Sequence, residues 1–184
     1  LDEARFGRAL ESAVDAGLIA DAVLPKSTSE RDRIWAIRED FSAILGDRPQ
    51  FLYDVSLPIK DMMPYVADVR GRLERLWPGV RLYVLGHIGD GNLHFFVSPG
   101  REEPDLHREV NAAVYEPLVR YGGAVSAEHG IGLEKKSWLR LSRSPEEIAT
   151  MRLLKRGLDP HNILNPGKIF DAAGDSRPSG VDSI

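Results

Sequence analysis

Hydrophobic and polar positions along the chain follow two different periods. Over residues 2–16, Ala4, Leu10, Ala13 and Val14 recur on one side at helical spacing, and Gly17 closes the run. "LIADAVLP" reads as a short strand or extended segment ending at Pro25. "STSERDRIWAIREDFSAIL" predicts one helix, capped by Ser27 or Ser29 and closed by Gly46. Its apolar positions are Ile34, Ile37, Phe41, Ile44 and Leu45. The period then changes to two. "QFLYDVSLP" alternates Phe51, Tyr53, Val55 and Leu57 and stops at Pro58, which predicts a strand. A helix at about 60–76 ends before Pro78-Gly79. "VRLYVLGHIGDGNLHFFVSPG" is a hairpin of two β-rich runs joined by a Gly-rich turn. A helix at about 104–121, a short "GAVSAEHG" segment and helical stretches at about 132–142 and 145–157 follow. The polar, Pro/Gly/Ser-rich end predicts a disordered tail over 171–184, leaving 1–170 as the folded domain. Helices between strands with an antiparallel hairpin give an α+β fold: an antiparallel β-sheet with helices packed on one face.

Composition narrows the chemistry. The 184 residues carry a net charge of −4 with Lys and Arg scattered, which argues against nucleic-acid binding and against an anionic membrane surface. No apolar run approaches the roughly 18–20 residues of a membrane span. Cysteine is absent, so disulfides and thiolate metal sites are excluded and any metal must be held by His and carboxylates. A cytoplasmic location is expected. No dinucleotide-binding fingerprint and no Walker loop occurs.

The hairpin carries His87 and His94. With Asp90-Gly91 as a two-residue type I′ turn, His87 pairs with His94, Ile88 with Leu93 and Gly89 with Asn92. The facing Cβ atoms would then lie about 4.5–5.5 Å apart, close enough for both imidazoles to reach one cation. Leu85 and Phe96 share their side of the sheet, and the histidines would mark a cavity. On spacing alone, two ordinary hairpin histidines, one hydrogen-bonded and one solvated, fit equally well. "GGAVSAEHGIG", residues 122–132, places Glu128 and His129 side by side between glycines. Glu128 can complete a set of two histidines and one carboxylate with open positions, leaving His129 to work as a base. Glu-His in isolation also suits a helix N-terminus. The same residues would equip a stand-alone metal-binding or hydrolytic module.

"GHIGDGNLH" and "SAEHGIG", preceded by "WAIRE" and "YDVSLP" and followed by "NPGKIF", resemble the C-terminal domain of FAD-linked oxidases of the vanillyl-alcohol oxidase/PCMH superfamily. The likeness is greatest to the D-2-hydroxyglutarate and D-lactate dehydrogenase branch and runs from about Ile34 to Phe170. It implies a ferredoxin-like α+β domain in which His87, His94 and Glu128 bind a divalent metal, zinc in close relatives and manganese or iron in others. It makes His129 the base that takes the hydroxyl proton of a 2-hydroxy acid while hydride leaves to FAD. Arg38 would grip the substrate carboxylate, although a surface salt bridge with Asp40 is the alternative from the helix alone. Ser42 would add a hydroxyl contact and Asn165 would touch the flavin. FAD would be held mainly by an N-terminal domain outside this chain, so the chain alone is expected to be inactive and to bind no FAD tightly. Expected partners are a small-molecule 2-hydroxy acid, an electron acceptor and, in a homodimer, a second copy. Two positions depart from the hydroxyglutarate pattern: Leu52 replaces a Lys and Phe96 an Asn. Both losses point to a monocarboxylic or more hydrophobic substrate.

Overall fold

The computed structural model describes residues 2–171, so the expected tail lies outside the described residues except for Asp171. The chain divides into two compact units, Leu1–Ala43 and Ile44–Ile184. In the first, α1 (Asp2–Asp15) and α2 (Thr28–Glu39) bury no residue fully. Ser27 caps α2, its hydroxyl accepting from the Glu30 N–H at 3.1 Å. Residues 18–25 form no strand. The single helix expected to reach Gly46 breaks at Asp40, which is extended at φ −79°, ψ 94°. Its carboxylate accepts the Ser42 N–H at 3.0 Å, a local turn that competes with the helical ladder. A separate turn, α3 (Ser42–Leu45), follows.

The second unit holds β1 (Phe51–Ser56), α4 (Met62–Leu76), β2 (Arg81–His87), β3 (Asn92–Ser98), α5 (Leu106–Tyr115), α6 (Leu118–Tyr121) and α7 (Pro145–Leu158). The strands form an antiparallel sheet in the order β1-β3-β2. This is the α+β plan expected from the pattern, and the order βαββα with that strand sequence is the ferredoxin-like one. Alternation sends Tyr53, Val55, Phe95 and Val97 to one face, where they join Tyr65, Val69 and Leu73 of α4 and Val110 and Val114 of α5 in the core. Burial of each such side chain contributes about 1.5–3 kcal/mol. The tyrosine hydroxyls are satisfied inside it, Tyr53 donating to Asn111 Oδ1 and Tyr65 to the Val114 carbonyl, both at 2.8 Å.

Two other helical expectations are redrawn. The run at 104–121 is interrupted at Pro117, which brings no N–H to a ladder, so α5 and α6 are separate. The stretch at 132–142 is helical only as a 3-10 segment over Lys136–Leu141. The stretch at 145–157 forms as expected: Ser144 and Glu147 cap α7 reciprocally, with Pro145 in its first turn.

The hairpin register differs from the two-residue turn. His87 pairs with Asn92 and His94 with Leu85, leaving Ile88–Gly91 as a four-residue loop. Gly91 occupies the left-handed region at φ 67°, and its carbonyl accepts the Leu57 N–H at 2.9 Å. That contact packs Gly91 under the Leu57 carbonyl and draws the turn open by two residues. A shift of two preserves parity, so His87 and His94 still share a face, along with Leu85 and Phe96. A Cβ on Gly91 would lie 2.2 Å from Leu57 O. Gly91→Ala therefore combines left-handed strain with a backbone clash and is expected to cost about 3 kcal/mol or more, read as a lowered urea midpoint. A change within 0.5 kcal/mol would refute this account of the turn.

Candidate metal and proton-transfer site

The sheet face opposite the core carries the polar residues. Across the strands, one row reads Ser56, Asn92, His87; the next reads Asp54, His94, Leu85; the third reads Leu52, Phe96, Tyr83. The free edge of β1 is met by residue 124: Ser56 and Ala124 exchange both backbone hydrogen bonds, at 3.1 and 2.7 Å. This bridge brings the segment 125–130 alongside Asp54.

Asp54 organises that segment. It is fully buried, and its Oδ2 accepts the successive backbone N–H groups of Ala127, Glu128 and His129 at 3.1, 2.9 and 2.8 Å. The Ser126 hydroxyl lies 3.1 Å from the same oxygen. Buried Lys135 stands 3.6 Å from Oδ2 and donates to the Asp54 carbonyl at 3.2 Å and to Ser126 Oγ at 3.1 Å. Burial alone would push the Asp54 carboxyl up, but the amide donors and the Lys135 charge outweigh it and hold it below the ordinary range. Burial pulls the Lys135 ammonium down, opposed by Asp54. A nest of amides folded onto one carboxylate fixes the directions in which Glu128 and His129 leave the backbone.

The three expected ligands come together. His87 Nε2 lies 3.8 Å from Glu128 Oε1, and His94 Nε2 lies 3.9 Å from Glu128 Oε2. One ligand atom from each of the three residues falls within 4.8 Å of the other two. Tetrahedral donors around a zinc-sized cation are spaced by about 3.3–3.5 Å, so small side-chain rotations close the set. The His87 and His94 rings meet edge to face at 5.7 Å. Burial lowers the His94 pKa, with Asp54 and Glu128 opposing, which favours the neutral imidazole that a ligand requires. His129 stacks on His94 at 5.7 Å between ring centroids. His94 also belongs to a second cluster, with Asp54 and His129. There Oδ2 of Asp54 is occupied by its amide donors, and its remaining Oδ1 faces Nδ1 of His94, whereas the Nε2 atoms of His87 and His94 both face Glu128.

A cavity of about 520 Å³ opens beside His129, and neither His87 nor His94 lines it. It follows the free edge of β1, with Leu52, Asn111, Tyr115, Glu134 and Lys168 among its walls. "NPGKIF" returns to this region: Ile169 N–H donates to the Gly132 carbonyl at 2.8 Å, and Asn165 sits in the turn at φ 49°. Phe96 is buried on the His94 face, and its direct partner on β1 is Leu52, so the two departures are cross-strand neighbours. Arg38, near the end of α2, and Ser42, opening α3, are exposed and belong to the first unit.

Residues 2–169 match the family described as FAD linked oxidases, C-terminal domain. The chain belongs to this family. Among curated relatives, it is 38% identical to a D-2-hydroxyglutarate dehydrogenase of Xanthomonas citri pv. viticola, covering 92% of this chain and 37% of the relative. It is 39% identical to the mitochondrial D-2-hydroxyglutarate dehydrogenase of Bos taurus, covering 92% and 31%. The mitochondrial enzyme of Arabidopsis thaliana is 35% identical over 92% and 30%. The chain thus spans about a third of the length of these relatives. Among the described residues, no helix of this FAD-linked oxidase domain is long and apolar enough to cross a membrane.

Asp54, Lys135 and Asn92 were not singled out as site residues from the sequence. A charged residue inside an alternating strand, in register with the histidine face, was the available signal for Asp54.

Proposed function

We propose that this domain binds the metal and the substrate in an FAD-dependent, cytoplasmic dehydrogenase that oxidises a D-2-hydroxy acid to the 2-oxo acid. The observation that carries the reading is the convergence of His87, His94 and Glu128, from separate segments, beside His129. The donor set suits zinc, with manganese or iron as alternatives. A cation held by these three residues supplies Lewis acidity toward the substrate hydroxyl. FAD supplies the acceptor for the hydride.

The imidazole of His129 takes the hydroxyl proton as the O–H bond breaks. As the O–H electron pair forms the C=O bond, the α-hydrogen would leave with the C–H electron pair as hydride, for which bound flavin would be the acceptor. An imidazole suits proton abstraction near neutral pH. Glu128 and His129 are neighbours in sequence but leave the backbone in directions set by the amides on Asp54, which lets one ligate while the other abstracts the proton. For Arg38 as carboxylate grip, Ser42 as hydroxyl contact and Asn165 as flavin contact, the support is the sequence motif.

Leu52 and Phe96 put an apolar pair on the His94 face, which favours a monocarboxylic or hydrophobic hydroxy acid over a dicarboxylate. Anaerobic mixing of the full-length protein with a D-lactate-type substrate is expected to bleach the flavin absorbance. Its kcat/KM should exceed that for D-2-hydroxyglutarate by roughly tenfold or more. No bleaching by any D-2-hydroxy acid would overturn the reaction, and comparable turnover of the two would overturn the substrate preference alone.

A further inference from the structure

Three buried side-chain polar atoms lack a hydrogen-bond partner among the described residues: Asp54 Oδ1, Asn92 Oδ1 and Asn92 Nδ2. All three lie on the face of the sheet that carries His87 and His94. Asn92 is 2% exposed, so water does not complete its carboxamide from bulk solvent. An unpaired buried polar group is costly, and such groups are few in folded proteins. The two oxygens are acceptors placed beside two histidines, and that indicates what completes them.

A histidine that binds a metal through one ring nitrogen usually donates the N–H of the other to a fixed acceptor, which sets its tautomer and its orientation. His94 is oriented for this arrangement: its Nε2 faces Glu128 while its Nδ1 faces the unpartnered Asp54 Oδ1 at 3.9 Å. His87 presents Nε2 to Glu128 in the same way, and the residue directly across the ladder from it is Asn92. Directly opposed residues hold their Cβ atoms about 4.5–5.5 Å apart, within reach of a ring and a carboxamide.

We propose that Asn92 is a positioning residue of the metal site, accepting the His87 ring N–H through Oδ1 when a divalent cation is bound, with Asp54 Oδ1 placed for the same role toward His94. The inference rests on the metal reading above. It gives the paired rows of the sheet one purpose: each histidine of β2 or β3 has a buried acceptor beside it. It also makes the apo chain carry an unsatisfied carboxamide oxygen that metal binding relieves.

Asn92→Leu tests this, because leucine has the same heavy-atom shape without polar atoms. In the chelator-treated chain the variant is expected to melt no lower than the unsubstituted protein. Its affinity for zinc, read by competition with a chromophoric chelator, is expected to fall roughly 10–100-fold. Asn92→Asp, which keeps the acceptor, should retain affinity within a few-fold. A Leu variant that melts lower and binds zinc unchanged would overturn the proposal, leaving Asn92 a packing residue. Failure of the unsubstituted chain to bind zinc, manganese or iron(II) would instead overturn the metal site, and this inference with it.

Discussion

Asp54→Ala is expected to destabilise the second unit by about 3–5 kcal/mol, seen as a large drop in the urea midpoint. The expectation follows from what the carboxylate holds. Its Oδ2 accepts three successive backbone N–H groups, and a buried ammonium stands beside it. Removing it frees the amides of 127–129 and leaves Lys135 charged in a buried setting without its counter-ion, the costly way to break such a pair. Lys135→Met in the Asp54→Ala background should therefore recover part of the loss, because no uncompensated charge remains. Metal affinity should fall with the single substitution as well, since Glu128 loses its fixed backbone. A cost under 1 kcal/mol, or a double variant no better than the single one, would show that the segment is held by other contacts.

Much of this arrangement was legible before the structure, and the remainder has physical reasons. The period-two runs at 51–57 and in the hairpin, each with its turn residues, placed β1, β2 and β3, because side-chain alternation is read directly from sequence. Parity made the shared face of His87 and His94 robust to a wrong register: the turn opened by two residues and the face survived. The register itself was not legible. It depends on Gly91 bonding to Leu57, a contact between segments more than thirty residues apart. Helix breaks were missed for a similar reason, since Asp40 and Pro117 act through local geometry that apolar spacing does not record. The cavity beside His129 was not legible because it follows the free edge of β1, and edges are a property of topology. Asp54 and Asn92 are ordinary polar letters in their motifs until the strand pairing sets them beside histidines.

His94→Ala in this chain is expected to abolish zinc binding in titrations reaching hundredfold above the wild-type Kd, whereas His129→Ala is expected to leave it within a few-fold. Both histidines are close to carboxylates, and His94 is common to the two clusters that could hold a cation. The clusters differ in the other members. If the cation sat among Asp54, His94 and His129, losing His129 would be as damaging as losing His94. The geometry argues otherwise: Asp54 Oδ2 is taken by amides, and its Oδ1 faces the Nδ1 of His94, while the Nε2 of that ring points to Glu128. His129 is then free of ligation. In the full-length protein, His129→Ala should lower kcat by roughly 10²–10⁴, the range for loss of a general base, with its metal content intact. The same substitution therefore separates holding the metal from moving the proton. Loss of zinc with His129→Ala would shift the metal to the inner cluster and leave Glu128 free of ligation.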